Sequence, residues 1–388
     1  MKILQVAILE ESTGGPFNSS LNLHLALHQI NSENALLAFI GSGDLDRIRR
    51  AQNDFNILPI INRSRKIRPR RISPRFLKNF ANEYSEFRVV HFHGFFMLSF
   101  LPMLVLCRFK KKTVAFQLHG SLMKYEFTNG VFLKSLYIHV FKFLTRNMRL
   151  IFVCSSQIEI DQIPKTFKSR FLKIFLINYR ESALKLPEDS EDLNLHNAFN
   201  SKNTRVLFLG RITKKKNLKF LAEAVLATNL TGRNLELVVV GPVDHDQNQV
   251  LTDCMSLLSD KFLYLGPIFS KSMKAEIMSH CHIFALPSVG ENFALSALEA
   301  EAHGLHILIS ENVGSIAVLN PVRTTVLKAL DSVIWSEALN ELSYIFESHG
   351  HYQIPERLNL LDWRHEALSY LNILEDEKDG SIRRPSII

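Results

Sequence analysis

Two glutamates, Glu291 and Glu299, bracket the segment GENFALSALE (290–299), which carries no other charge. From Asn292 the composition is helical, and Gly304 stands at a C-cap position. At about 100° per residue, Leu295, Leu298, Glu299 and Ala302 fall on one side. Glu299 is therefore expected within an apolar stripe. Phe293, Ala297 and Ala300 cover the opposite side, so the helix is expected to be buried nearly all round. A carboxylate in such a place requires a partner, because an unpaired buried charge is very costly. Glu291 precedes the helix, where unpaired N–H groups and the helix dipole favour an anion. Two readings are open. In one, Glu291 caps the helix and Glu299 meets a buried Arg. In the other, both carboxylates serve a ligand.

A second cluster, GRITKKKN (210–217), follows an apolar run and leads into a helix. Arg211 offers a fork of donors to phosphate oxygens, and Lys216 a mobile point charge. The alternative is a solvated basic loop. A third stretch, ESTGGPFNSS (11–20), places Gly14 and Gly15 after the first apolar run, where bare backbone can approach a ligand. It matches neither the dinucleotide fingerprint nor the P-loop. SHCH (279–282) invites a metal reading, but no distant ligand pair completes a tetrahedral set, so a buried Cys flanked by His is expected. His91 and His93, two apart on an apolar run, share a face and fit strand packing or acceptor contact better than zinc.

The elements that would position these residues alternate along the chain. Apolar runs of strand length occur at 3–9, 35–40, 89–94, 113–120, 150–156, 205–210, 235–241, 262–266 and 282–288, with helical spacing at 21–30 and 218–226. Strands alternating with helices imply parallel sheets covered on both faces, with ligands beyond the strands' carboxyl ends. His91, His93, His119 and Gly120 stand at such ends. Residues 89–107 lack Asp, Glu, Lys and Arg, yet two His, Gly94 and Pro102 favour strand-turn-helix over a membrane span. Around 180–203 the chain becomes polar and aperiodic, as a linker would. The expected organisation is an N-terminal domain over 1–178, a linker over 179–203, a second domain over 204–355, and a terminal helical segment over 356–388. Two sheet domains would leave a cleft for a ligand.

The 388 residues carry a formal charge of +8. That balance suggests an anionic partner. The four cysteines, Cys107, Cys154, Cys254 and Cys281, are far apart and suit a reducing compartment. No signal peptide is read at the N-terminus. The run Arg63–Lys78 holds eight basic residues and no acid. Its low aromatic content argues against a nucleic-acid groove, and an anionic membrane surface or phosphorylated lipid carrier is the preferred partner.

Taken in order, GG after the first strand, HG at 119–120, LFLGRITKKKN, LELVVVG, FLYLGPI and LPSVGENFALSALEAEAHG resemble the retaining nucleotide-sugar glycosyltransferases of family 4. DWRHEALSYL (362–371) is similar to that family's closing helix. The resemblance implies the α/β GT-B fold: two Rossmann-like parallel-sheet domains facing a central cleft, with a C-terminal helix crossing back to the first. It implies that Arg211 and Lys216 clamp the donor diphosphate, aided by the amides of Asn292, Phe293 and Ala294 and by Gly14 and Gly15. Glu299 would hold the ribose hydroxyls, while Glu291 and His119 would touch the transferred sugar. The donor would be a nucleotide-sugar and the acceptor a saccharide or lipid-linked saccharide, with no cofactor, metal or nucleic acid. The implied setting is cytoplasmic, peripheral on the inner face of the plasma membrane, in cell-surface polysaccharide synthesis. Asn217 and Ala294 stand where the family has glycine, and residues 305–318 depart from its pattern. These departures bear on donor-sugar selection more than on the reaction class.

Overall fold

The computed structural model describes residues 1–9, 15–40, 56–61, 74–128, 130–167, 172–177, 199, 203–268, 270–349 and 363–375. Gly14, most of the basic run and nearly all of the expected linker lie outside them. The chain divides into two units, Met1–Tyr179 with Leu361–Ile388, and Arg180–Leu360.

The first unit holds seven parallel strands: β1 (Ile3–Leu9), β2 (Ala35–Ile40), β3 (Ile57–Ile61), β4 (Val89–His93), β5 (Thr113–Gln117), β6 (Leu150–Cys154) and β7 (Leu172–Leu176). Their order is β3-β2-β1-β4-β5-β6-β7. Helices α1 (Gly15–Ile30), α2 (Pro74–Glu83), α3 (Phe100–Phe109), α4 (Val131–Thr145) and α5 (Gln157–Asp161) connect them. The last described helix, α11 (Trp363–Glu375), packs on α1 within this unit. The carbonyl of Leu374 near its end accepts from Arg149 Nη2 at 2.8 Å.

The pleat sorts this sheet's side chains into two unlike faces. Leu4, Val6, Val90, Phe92, Val114, Phe116 and Phe152 point to one side and meet Phe95, Phe141 and Phe167. The Phe95 ring stands edge-on to the rings of Phe116, Phe141 and Phe152, the geometry that aromatic quadrupoles prefer. The other face is polar at its centre. Gln5 Nε2 lies 3.2 Å from His24 Nδ1, and Gln5 Oε1 lies 2.8 Å from His93 Nε2. His91 and His93 stack at 4.4 Å, and His91 lies 5.2 Å from Tyr370 of α11. The uncharged stretch 89–107 is thus strand, turn and helix. No helix among the described residues is long and apolar enough to cross a membrane.

The second unit holds six parallel strands: β8 (Thr204–Leu209), β9 (Leu235–Val240), β10 (Phe262–Tyr264), β11 (Ile283–Leu286), β12 (His306–Ser310) and β13 (Thr324–Leu327), ordered β10-β9-β8-β11-β12-β13. Its helices are α6 (Leu218–Leu230), α7 (Asn248–Leu258), α8 (Lys271–Ser279), α9 (Leu295–Ala302) and α10 (Ser332–His349). At the start of β8 the buried Arg205 pairs with Glu236 at 2.9 Å and donates to the His280 carbonyl at 3.1 Å. The SHCH stretch is occupied with this packing: His280 stacks on Phe199, Cys281 is buried, and His282 Nδ1 accepts from the Arg205 amide at 3.1 Å. Among the described residues no group of three or more His, Cys, Asp or Glu is placed to hold a metal ion.

The polar face of the first sheet makes stability depend on pH. Burial holds the His91 imidazole down at about 3, with the nearby His119 adding to the shift; His93 is lowered in the same way. An unfolded histidine titrates near 6.5, so between those values the unfolded chain binds more protons and stability rises with pH. The contribution is complete above 6.5 and is lost as pH falls toward 3. For His91 alone the expected loss from pH 7 to pH 5 is about 2 kcal/mol of unfolding free energy in urea titrations. His91→Leu is expected to remove that share of the pH dependence; an unchanged slope would show that the imidazole is not held neutral.

Candidate active site

In the second sheet the strand order reverses direction between β8 and β11. Loops leaving the carboxyl ends of neighbouring strands diverge at such a point and leave a crevice for a ligand. The two loops here are the sequence-predicted clusters, 210–217 after β8 and 287–294 after β11. They are joined directly: the Val289 amide donates to the Lys215 carbonyl at 2.8 Å.

Backbone close approach sets the first loop. Gly210 and Gly241 end adjacent strands with φ of +146° and +144°. A Cβ on Gly241 would lie 2.1 Å from the Gly210 carbonyl oxygen, so only glycine fits. A Cβ on Gly210 would lie 2.9 Å from Lys216 Nζ. The lysine therefore folds back over its own loop, its side chain 11% exposed. Arg211 is further out, 3.6 Å from Asp244.

Glu291 lies opposite. Its carboxylate stands 3.6 Å from Lys216 Nζ and 4.0 Å from Lys215 Nζ. The backbone of Glu291 is fixed by a third loop, donating to Asn312 at 2.9 Å and accepting from Gly314 at 3.1 Å. It gives α9 no side-chain cap; the residue at that position is Ala294. The capping reading of Glu291 is thereby replaced by an ion-pair role, because the turn 291–294 aims the side chain at the neighbouring loop.

The expected burial of α9 also needs correction. Ala297, Leu298, Ala300, Glu301 and Ala302 are buried, whereas Leu295, Ser296 and Glu299 form a partly exposed arc. Glu299 takes a lysine, not an arginine: Lys274 of α8 meets its two oxygens at 3.1 and 2.9 Å. The buried acid is Glu301, which accepts from the Asn320 amide. Lys215, Lys274 and Glu301 were not singled out by the sequence. Their partners are 19 to 76 residues away, beyond any local pattern.

The remaining site candidates belong to the first unit. His119 (φ +49°) and Gly120 (φ +80°) form a left-handed turn after β5. Burial pushes His119 down to about 4, and its ring stacks near His93 at 5.9 Å. The turn is held by Glu159, a fully buried acid that accepts from the amides of Gly120 and, at 2.7 Å, Ser155. Ser156 Oγ accepts from the Glu159 amide at 3.1 Å, a side-chain N-cap of α5 whose S-x-x-E pattern is legible at 156–159. Gly15 is the first residue of α1.

Residues 203–343 match the family model described as Glycosyl transferases group 1. An uncharacterized glycosyltransferase of Methanocaldococcus jannaschii is 30% identical over 116 residues, 29% of each chain. An N,N'-diacetylbacillosaminyl-diphospho-undecaprenol alpha-1,3-N-acetylgalactosaminyltransferase of Campylobacter jejuni is 32% identical over 149 residues, 38% of this chain and 36% of that one. The matches thus span about a third of those curated relatives. The crystal structure of Anabaena HepE with UDP-glucose superposes with a TM-score of 0.66 at 14% identity, covering 96% of this chain and 95% of that one. The fold is accordingly that of the GT-B glycosyltransferases, built from two Rossmann-like parallel-sheet domains.

In the second unit the two departures from glycine acquire a physical reason. Asn217 and Ala294 are the residues immediately before α6 and α9, and both are left-handed, with φ of +58° and +62°. Glycine adopts that conformation freely and Asn tolerates it, while Ala bears a cost of about 1 kcal/mol or more. The loops keep the glycine geometry without the glycine.

The Gly210–Gly241 contact predicts a graded response in this domain. Gly266 also has positive φ, +75°, but open space around it. Gly266→Ala is expected to cost about 1 kcal/mol, and Gly241→Ala about 3 kcal/mol or more, read as shifts in the thermal midpoint. Equal shifts would mean that the close approach does not constrain the fold.

Proposed function

We propose that the chain is a retaining glycosyltransferase that moves a sugar from a nucleotide-sugar donor to a saccharide or lipid-linked saccharide acceptor in cell-surface polysaccharide synthesis. The observation that carries this reading is the meeting of Lys215, Lys216 and Glu291 at the switch point of the sheet that the group 1 model matches, with Glu299 on the exposed arc of the adjoining helix. HepE, of the same fold, is crystallised with UDP-glucose, and the Campylobacter relative is named for a diphospho-undecaprenol-linked acceptor.

In this reading Arg211 and Lys216 face the donor diphosphate, where negative charge grows as the nucleoside diphosphate departs. The bond from the anomeric carbon to the phosphate oxygen breaks and one to the acceptor oxygen forms on the same side. The acceptor's proton passes to the departing phosphate, so the protein supplies no nucleophile. Glu291, held between two ammonium groups, is placed to accept from hydroxyls of the transferred sugar. Glu299 accepts from the ribose hydroxyls while keeping Lys274.

A thermal-shift screen of UDP-, GDP- and ADP-sugars is expected to show a rise in melting temperature with one donor class, followed by turnover with acceptor. Absence of binding and turnover with every donor, in folded protein, overturns the reading. Glu299→Gln is expected to weaken donor binding about tenfold with little change in turnover at saturation. Glu291→Gln is expected to lower turnover about a hundredfold with donor affinity nearly kept. If neither constant moves in either variant, the two carboxylates do not serve the donor.

A further inference from the structure

Helix α4 carries apolar residues on two opposite sides. Tyr137, Phe141 and Thr145 are buried against the aromatic core of the first unit. On the other side Phe132, Leu136, Val140 and Phe143 follow one another at helical spacing, with Phe132 79% and Phe143 73% exposed. Leu133, also exposed, widens the stripe. At 3.6 residues per turn these five side chains span an arc of about 100°. Neighbouring α3 contributes exposed Phe109 at its end, and its Arg108 is tied to α4 by a 2.6 Å hydrogen bond to the Leu144 carbonyl. Of the 18 exposed large hydrophobic residues among those described, eight lie between Leu98 and Phe143. Such concentration marks a docking surface, since scattered exposed residues would not fall on one helix pair.

The charge on the same segment says what docks. Residues 98–149 hold nine Lys or Arg and one acid, Glu126. Arg108, Lys112, Lys134 and Arg149 are engaged with backbone carbonyls; a second copy of the chain, brought stripe to stripe, would set the others, Lys110, Lys142 and Arg146 among them, against one another. Stable protein interfaces are depleted of charge at their centre. An anionic lipid surface offers apolar chains below and phosphates above. At 15 residues α4 is about 22 Å long, too short to span a bilayer but of the kind that lies in the interface.

We propose that α4 docks the first unit on an anionic bilayer. Phe132, Leu136, Val140 and Phe143 enter the boundary between headgroups and acyl chains. Lys110, Lys142 and Arg146 lie on lipid phosphates. This surface is separate from the basic run at 63–78, and it does not rest on the reaction proposed above.

Flotation of the full chain with vesicles tests it without any donor. Binding is expected to vesicles of phosphatidylcholine and phosphatidylglycerol in equal parts, about tenfold weaker to phosphatidylcholine alone, and reduced by salt. The triple variant Phe132→Ser, Leu136→Ser, Phe143→Ser is expected to lose at least about tenfold in partitioning with its thermal midpoint nearly unchanged, because these side chains are more than half exposed and have little packing to lose. Lys110→Ser with Arg146→Ser is expected to weaken binding only to the anionic vesicles. The proposal is overturned if the wild-type chain does not float with anionic vesicles, or if the triple variant floats as well as wild type. It is also overturned if sedimentation shows a dimer that the triple variant converts to monomer, which would assign the stripe to a second copy.

Discussion

The second unit is organised by how closely two backbones approach at the ends of β8 and β9. Gly210 and Gly241 meet with no room for a side chain, and that contact frees the space through which Lys216 turns back toward the sheet. The amide of Val289 then ties the loop after β11 to the carbonyl of Lys215. Everything chemical at this end of the sheet follows. Two lysines are drawn in from solvent, and like charges at low exposure repel unless an acid stands between them. Glu291 is that acid, and the loop after β12 holds its backbone in place. Glycines, hydrogen bond and carboxylate therefore form one connected unit.

Much of this was legible in the sequence, for reasons that also explain what was not. Nine of the thirteen strands among the described residues stand out as apolar runs, because a parallel strand covered on both faces has no polar side to interrupt it. Three of the strands missed, β3, β7 and β13, are sheet edges, where burial is one-sided and the signal weaker. The composition of α9 implies burial nearly all round, because apolar residues occur on both of its sides; in the structure Leu295, Ser296 and Glu299 stay partly exposed. Ala297 and Ala300 mark the side of closest packing, and small residues are what permit it. Glu301 then falls inside and Glu299 outside.

The first unit shows what a parallel sheet does when its two faces are given different work. One face is a mutual packing of phenylalanine rings around Phe95. The other carries Gln5, His91, His93 and, just beyond the strands, His119. His93 and His119 lie at the carboxyl ends of β4 and β5, where this fold class places ligand contacts. The Glu159 carboxylate serves the same end, since it fixes the left-handed turn of His119 and Gly120 by accepting from two amides of different loops.

The pairing of Glu299 with Lys274 bears on how a hydroxyl-bearing ligand would be held. A carboxylate has about four acceptor sites, and one ammonium meeting both oxygens leaves the rest unused. Separating the pair would leave two partly exposed charges without each other, at a cost of about 1 kcal/mol. A hydroxyl donor is therefore better accommodated beside the lysine than in its place. Under the proposed reading the ion pair is not a competitor of the ribose but the device that orients its acceptor. The carboxylate keeps one rotamer before the donor arrives, and little ordering remains to be done on binding.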